Sequence, residues 1–407
     1  MTGRGLTGFI LVMLLAGTDA YAFYDHAGEK AAVKARLAVD LSSGFMAYPE
    51  PEELYPEKGQ GANSLNFRLL GDARWGEAIR LEVNAYQLSA TRTLSPLYAG
   101  DADEPHRYER LERTFSDRGD FHAVVGLDQA SLKLFAGPVE FALGRQPIGL
   151  ANNLIFAPND LFYPFAATAA DREFRPGVDA LRLGLKTGDL AGVSLIAVMG
   201  YDQDNHPEWE RSAALLAGTA NFRGVECGAL AGKADGRHLA GLSLSAEALG
   251  LGWRMEGSYS RPTTYSEDSY AQVSAGFDKR WPNSLHLIVE YYYHGNGKTE
   301  PEQYLDRLND MRLIMDPYFG RNYLGLTLMG DLSPVFTLQT VALVNLDDGA
   351  CSFGPSVTYK AADEIEFILS AQLPYGKRTD IGPSGPDIGS EFGLYPRTVT
   401  LLGRIYF

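Results

Sequence analysis

Cysteine is nearly absent from this sequence: the chain of 407 residues has two, Cys227 and Cys351. They form no CxxC or CxxCH spacing, which excludes a disulfide scaffold, a zinc ribbon and covalently attached c-type haem. An oxidising compartment would permit a bridge between them. We expect their strands to lie far apart, however, and treat both as small residues.

Positive charge is also scarce, since 36 Lys and Arg face 51 Asp and Glu and the net charge is −15. Nucleic-acid binding needs a basic face, so nucleic acid is excluded as a partner. The seven histidines are scattered and none has an HExxH spacing. Acidic pairs such as Asp202 with Asp204 favour solvated turns over calcium sites. We therefore expect no enzyme, no metal and no cofactor.

Long apolar runs are missing beyond the N-terminus, where none approaches the roughly 18 residues of a spanning helix. The N-terminus itself has the pattern of a secretory signal peptide. Arg4 supplies the positive charge, Phe9 to Ala16 the apolar core, and Ala20 to Ala22 a small-x-small cleavage site. We predict that residues 1–22 are removed and that residues 23–407 form one exported domain without a helical anchor.

The last eleven residues carry apolar and polar side chains in alternation. One face holds Val399, Leu401, Gly403, Ile405 and Phe407, and the other holds Thr398, Thr400, Arg404 and Tyr406, with Leu402 as the one exception. A period of two with an apolar outer face is typical of transmembrane β-barrels. A terminal aromatic in such a strand resembles bacterial outer-membrane proteins, whose assembly machinery recognises the final strand. The alternative is an ordinary half-buried strand at the end of a domain.

Similar alternating segments recur along the whole mature chain, separated by tight Gly, Pro, Asp or Asn turns and by longer connections. Short and long connections alternate, as in barrels with periplasmic turns and extracellular loops. The pattern predicts an all-β, antiparallel, up-and-down transmembrane barrel of about 18 strands with both termini in the periplasm. If the small-residue segments Ser212–Thr219 and Val225–Gly232 are not strands, the number is about 16.

The connection from Leu150 to Gly177 is unusually apolar for a solvated loop. It contains Ile155, Phe156, Leu161, Phe162, Tyr163 and Phe165. Folding inward against the barrel wall would bury these side chains and narrow the lumen. By order this is the third extracellular loop. We predict that it forms a constriction; packing over the rim and a trimer contact are the alternatives.

Charged side chains on the predicted inner face are unevenly distributed. Basic residues dominate the first six strands and the last, and acidic residues dominate the remaining wall. The candidate pore-lining and constriction residues are Arg36, Arg68, Arg80, Arg145, Asp160, Arg182, Glu256, Glu290 and Arg404. Opposed charges would set up a field across the pore, whereas the alternative is an ordinary polar lining. We expect Arg145, Arg182 and Asp160 near the narrowest point.

Several short motifs resemble a porin family. They are Gly144 to Ile148, Pro158 to Phe162 with Pro164 and Phe165, Arg175 to Arg182, and Asn345 to Gly349 followed by Gly354 and Pro355. The outline is similar to 18-stranded alginate-export-type channels and to porins that sheath multihaem cytochromes. The mixed lumen charges argue against polyuronate export, which depends on a strongly basic lumen.

The resemblance implies a cell outer-membrane channel for passive diffusion of small hydrophilic solutes or ions. The alternative it leaves open is a structural barrel around a multihaem cytochrome in an electron-transfer conduit. A rim-located hydrolase ranks last, because it needs a Ser and a His on the lipid-facing rim and His286 alternates inward. Expected partners are outer-membrane lipid and lipopolysaccharide, the barrel-assembly machinery through Phe407, and either a cytochrome or further copies of the chain.

Overall fold

The computed structural model describes residues 24–28, 30–49, 55, 57–91, 104–169, 172–264, 268–308, 317–382 and 385–407. The predicted signal peptide, residues 1–22, lies outside these ranges. Among the described residues, no helix is long and apolar enough to cross a membrane.

Strands account for most of the described chain. The first eleven are β1 (Tyr24–Ala27), β2 (Ala31–Ala47), β3 (Gly59–Trp75), β4 (Ile79–Thr91), β5 (Glu112–Arg118), β6 (Phe121–Ala136), β7 (Val139–Gln146), β8 (Val178–Gly188), β9 (Ala191–Val198), β10 (Ala213–Phe222) and β11 (Val225–Ala234). The others are β12 (Arg237–Ala248), β13 (Leu251–Pro262), β14 (Tyr270–Arg280), β15 (His286–His294), β16 (Asn322–Ser333), β17 (Phe336–Asn345), β18 (Cys351–Ala362), β19 (Ile365–Tyr375), β20 (Asp380–Gly382), β21 (Gly385–Asp387) and β22 (Arg397–Tyr406). One short helix, α1, spans Tyr304–Leu308.

Eighteen of these strands form a closed antiparallel barrel within the described residues. Each pairs with its neighbours in chain order, and β22 pairs with both β19 and β2, which closes the wall. The strands β1 and β5 extend the edges of β2 and β6, and β20 with β21 forms a separate hairpin. The predicted all-β barrel is confirmed. Because β10 and β11 are regular wall strands, the number is eighteen and not sixteen.

Alternation of side chains between two faces explains why these segments form a barrel wall. Along β15, His286, Ile288, Glu290, Tyr292 and His294 are buried on the inner face. Their neighbours Tyr291 and Tyr293 remain exposed on the outer face. The other strands likewise carry apolar residues on the outside. A wall with this pattern presents an apolar surface outward and keeps its polar groups within the lumen.

The two ends of the barrel differ. At the terminal end, where Ala31 and Tyr406 lie, tight turns join successive strands. Most connections at the opposite end, the loop end, are long. The alternation of short and long connections is not strict, because β11 and β12 are joined only by Asp235 and Gly236. Both have positive φ, 46° and 68°, as a two-residue hairpin turn requires.

Loop-end connections fold into the barrel and build its buried core. Two clusters join the connection between β7 and β8 to the inner wall, one around Phe162 and the other around Phe156. A third cluster packs Tyr304 of α1 against Phe319 of the same connection and against Leu394 of the connection between β19 and β22. The prediction that the third long loop folds inward is therefore confirmed. Cys227 and Cys351 are free, as their positions in β11 and β18 require.

Candidate functional site

The connection between β7 and β8, which we call the lumen loop, comprises residues 147–177 and is described except at 170 and 171. Its first arm is fixed to β13 by Glu256. That carboxylate accepts backbone N–H groups of Asn152 at 2.7 Å, Asn153 at 3.1 Å and Asn159 at 2.6 Å. A carboxylate has only acceptors, so it satisfies several N–H groups that a buried irregular loop would otherwise leave unpaired.

A second carboxylate, two strands further around the wall, also accepts backbone N–H groups of the loop. Glu290 on β15 accepts the backbone N–H groups of Leu154 at 2.8 Å, Ile155 at 3.0 Å and Phe156 at 2.9 Å. Glu256 and Glu290 are each only 1% exposed. These two side chains, both predicted to line the pore, thus hold the lumen loop against the wall.

Two glycines of the inner wall give the first arm room to approach. A Cβ on Gly241 of β12 would lie 2.2 Å from Oδ1 of Asn159, and a Cβ on Gly325 of β16 would lie 2.7 Å from the Phe156 ring. Asn159 also donates from Nδ2 to the Leu242 carbonyl at 3.1 Å. The loop is therefore seated in two slots that any larger residue would fill.

The second arm of the lumen loop reaches the opposite wall, near the seam that closes the barrel. Glu173 bonds to Arg404 and Tyr406 of β22. The neighbouring Phe174 ring lies 4.5 Å from the guanidinium carbon of Arg68 and 5.4 Å from that of Arg404. The loop consequently crosses the lumen from the wall at β13 and β15 to the wall at β3 and β22.

An ion pair joins the two arms of the loop. Arg175 donates to the Asp160 carboxylate and, at 2.7 Å, to the carbonyl of Phe162. Burial raises the pKa of Asp160, and the Arg175 partner opposes that rise. The pair closes the loop on itself, so that its two wall attachments act on one body.

The lumen loop separates two cavities. The upper cavity, on the loop-end side, has a volume of about 540 Å³ and is lined by the loop, β12 to β15 and neighbouring connections. The lower cavity, on the terminal side, has a volume of about 330 Å³. Four ionisable side chains of both signs line the lower cavity: Glu140, Arg182, Lys186 and Glu226. Asn159 lines the lower cavity and Asp160 the upper one, so the loop is the partition between them.

The predicted basic residues are placed in several different environments. Arg404 is 2% exposed and bonds to Asp40 at 2.6 Å and Glu366 at 3.3 Å. Arg68 pairs with Asp128, and Arg80 pairs with Asp72 and Glu82. Arg36 is exposed on β2, and Arg182 is exposed on β8, where it donates to Ser194. Acidic partners therefore accompany much of the predicted basic side, which weakens a field across the lumen.

Arg145 is not brought together with Asp160. Its guanidinium bonds to Asp179 at 2.7 Å and to the carbonyl oxygens of Tyr108 and Leu127, and the residue is 2% exposed. It holds the segment before β5 against the wall. The partner of Asp160 is Arg175, fifteen residues further along the chain.

Several residues of this site were absent from the sequence prediction. Gly241, Gly325, Glu173 and Phe174 have no local pattern that marks them. Asn159 and Arg175 lie within the porin-like motifs, but their roles depend on partners elsewhere in the chain. Only the apolar character of the loop pointed to its inward position.

No protein-family model and no curated protein sequence matches this chain. Solved structures do. OccAB3 of Acinetobacter baumannii has a TM-score of 0.57 at 10% identity, over 92% of this chain and 99% of that chain. OccK9 (OpdG) of Pseudomonas aeruginosa has a TM-score of 0.58 at 12% identity, over 92% and 98% respectively. OccK2 (OpdF) of Pseudomonas aeruginosa, in complex with glucuronate, has a TM-score of 0.54 at 12% identity, over 92% and 98%. At this identity the likeness establishes the barrel fold.

Proposed function

We propose that this chain is an outer-membrane porin, a passive channel for small hydrophilic solutes or ions that is constricted by the lumen loop. The observation that carries the proposal is the attachment of one loop to both walls of an eighteen-stranded barrel. Glu256 and Glu290 fix one arm and Arg404 fixes the other. A loop held in this way sets the width of the path between the two cavities.

The outer surface supports a membrane location. Large apolar side chains are exposed around the wall, for example Leu242 at 68%, Leu195 at 51% and Leu369 at 51%. Aromatic residues such as Trp253 and Tyr259 are also exposed there. In water such a surface would be unfavourable, whereas a bilayer covers it. The structural neighbours of the Occ group, which are outer-membrane porins, point the same way.

Partners follow from this location. We place lipid and lipopolysaccharide against the apolar band, with the loop end facing outward. The terminal Phe407 pairs with Leu37 through two backbone hydrogen bonds of 2.8 and 3.2 Å. We propose that the assembly machinery recognises this last strand before β22 closes on β2. Association with further copies of the chain is part of the same proposal.

Single-channel recording tests the proposed function. Refolded protein in a planar bilayer should give steady open currents, and the reversal potential under a salt gradient should report the selectivity. Removing Asn153 to Arg172 should raise the conductance, because it deletes the bridge across the lumen. A folded barrel that never conducts would contradict the porin proposal. Unchanged conductance after the deletion would contradict the constriction.

The alternative of a sheath around a cytochrome receives no support. In the described part of the chain, the lumen is occupied by the protein's own loops, which form the clusters around Phe156, Phe162 and Tyr304. Nor does any observation favour a rim hydrolase, since His286 is 8% exposed and bonds to Asp278 at 3.1 Å. Co-purification of a haem protein would revive the sheath.

A further inference from the structure

The upper cavity is a pocket that the lumen loop bounds from below. Its volume of about 540 Å³ lies within the range of roughly 300–1,000 Å³ that is typical of small-molecule sites. Below it, Asn159 occupies the slot at Gly241 and forms part of the partition from the lower cavity. A solute entering from the loop end would therefore occupy this cavity before it passed the loop.

Two unlike walls face each other across the cavity. The lumen loop supplies an apolar side, formed by Ile155, Pro158, Leu161, Pro164 and Phe165. The barrel strands supply a side of uncharged polar groups, formed by Ser260, Tyr270, Gln272 and Tyr292. A ligand that fits both sides needs an apolar face and an edge of hydrogen-bonding groups.

Most charged side chains that line the cavity have polar or charged partners, whereas the exposed Glu210 accepts the Thr263 hydroxyl at 3.4 Å and leaves a negative charge at the cavity. Asp160 pairs with Arg175, Asp235 lies 3.0 Å from His106, and Arg211 lies 3.1 Å from Glu208. The Arg237 guanidinium, on a residue 5% exposed, donates to Ser260 and to the Asp268 carbonyl. An anionic ligand would have to take Arg211 or Arg237 away from these partners, and it would also face Glu210. The site thus suits an uncharged ligand better than an anionic one.

A neutral sugar has the required chemistry. Each pyranose ring presents C–H groups on its faces and hydroxyl groups around its edge, so it offers apolar contact on one side and hydrogen bonds on the other. We propose that the upper cavity is a binding site for a neutral sugar of one or two rings. The inference deepens the proposed porin function, because the sugar would occupy the path just above the constriction.

This site differs in kind from one built for a sugar acid. The OccK2 structure holds glucuronate, whose carboxylate calls for a cation that is free to receive it. Of the two cations that line the upper cavity, Arg237 donates to Ser260 and the Asp268 carbonyl, and Arg211 pairs with Glu208. Glucuronate should therefore bind more weakly here than maltose.

Calorimetry with the full-length mature barrel tests the binding without reliance on conduction. The protein is held in lauryldimethylamine oxide, because a detergent with a sugar headgroup would itself compete for the cavity. Maltose is titrated, with sorbitol as an open-chain polyol and sodium glucuronate as a charged sugar. We expect saturable maltose binding at least tenfold tighter than that of sorbitol or glucuronate. The proposal is overturned if maltose gives no saturable heat, or if glucuronate binds as tightly.

Two variants locate the site, and they act by different routes. Gln272→Leu removes a polar partner from the strand side, and Ala157→Phe fills the cavity from the loop side. Each should weaken maltose binding tenfold or more. The matched control Gln339→Leu makes the same change on β17, at a residue that does not line the cavity, and should retain wild-type affinity. Equal loss in the control would place the binding elsewhere and refute the assignment.

Current recordings separate this inference from the porin proposal. If the wild-type channel conducts and maltose binds, maltose should interrupt the current, and Ala157→Phe should abolish the interruption. A conducting channel to which maltose does not bind would leave the porin proposal standing and remove the sugar site. A barrel that binds maltose but does not conduct would leave the sugar site standing and contradict the porin proposal.

Discussion

Glu290 accepts the backbone N–H of Phe156 at 2.9 Å and so joins the barrel wall to a loop residue 134 positions away in the chain. The same carboxylate takes the N–H groups of Leu154 and Ile155. The carboxylate of Glu290 on the inner wall therefore holds the lumen loop in place. If solutes pass through this barrel, they meet the loop that these carboxylates position.

Replacing both anchoring carboxylates, in Glu256→Ala with Glu290→Ala, should release the first arm of the lumen loop. Each lost acceptor leaves buried N–H groups unsatisfied, at about 1–3 kcal/mol per group. We expect larger and noisier single-channel currents. The control is Glu247→Ala on β12, an exposed residue on the same inner face that does not contact the loop. Equal currents in the double variant and the control would show that the anchors do not set the constriction.

Gly325→Ala should destabilise the barrel although it adds a single methyl group. Its Cβ would lie 2.7 Å from the Phe156 ring and 2.8 Å from the Ile155 side chain, so these two buried side chains must shift. Overpacking of this kind costs about 1–3 kcal/mol. The control Gly354→Ala on β18 places its Cβ 3.6 Å from the nearest atom, an ordinary contact. The urea midpoint of refolded Gly325→Ala should be lower than that of Gly354→Ala. A Gly325→Ala midpoint equal to that of wild type would show that the loop does not need the space at Gly325.

Arg404→Ala should weaken the closing seam. Arg404 is 2% exposed and bonds to Asp40, Glu366 and Glu173, which its loss would leave without their shared cation. The expected cost is about 3 kcal/mol, the lower end for breaking a buried pair, since Glu173 remains partly exposed. Arg36→Ala, on the neighbouring strand and exposed, should cost little. The measurement is the temperature at which the folded band is lost on gels, and this temperature should be lower for Arg404→Ala than for Arg36→Ala.

A buried carboxyl makes the loop end sensitive to pH. Glu391 is 1% exposed, accepts Nδ2 of Asn345 at 2.8 Å and bonds to the Tyr323 hydroxyl, while Asp348 accepts its backbone N–H at 2.8 Å. Burial raises the pKa of Glu391 from 4.5 to about 7. Since the folded pKa is the higher one, the stabilising contribution is complete below pH 4.5 and is lost as the pH rises through about 7.

Hydrogen exchange of residues 385–395, corrected for its intrinsic pH dependence, should therefore be faster at pH 8 than at pH 5. Glu391→Gln keeps the shape and cannot ionise, so its exchange should not change between these pH values. If wild type and Glu391→Gln respond alike, another group controls the loop. The neighbouring carboxyl Asp348, whose pKa burial also raises, would be the next residue to replace.

Much of the fold could be predicted because its evidence is local. Alternation along a strand shows in a few consecutive residues, and the alternation of Leu287 and Val289 with their neighbours reappears in β15, where every second residue is buried. The apolar residues around Phe156 and Phe162 also predicted an inward loop, since a solvated loop would expose them. The same reasoning missed the two-residue turn at Asp235, because connection lengths follow tendencies and not rules.

The sequence by itself therefore determined the barrel and the loop that enters it, whereas the pairing of β10 and β11 decided for eighteen strands and against sixteen. Only the tertiary structure decided which residues hold that loop. Glu256 meets Asn159 across 97 positions, and Arg404 meets Glu173 across 231, so no pattern of neighbouring residues marks either contact. Nothing in the sequence around Gly241 indicates that Asn159 packs against it. Strand periodicity is a property of short segments, whereas the anchoring of a loop depends on how the closed wall brings distant strands to face it.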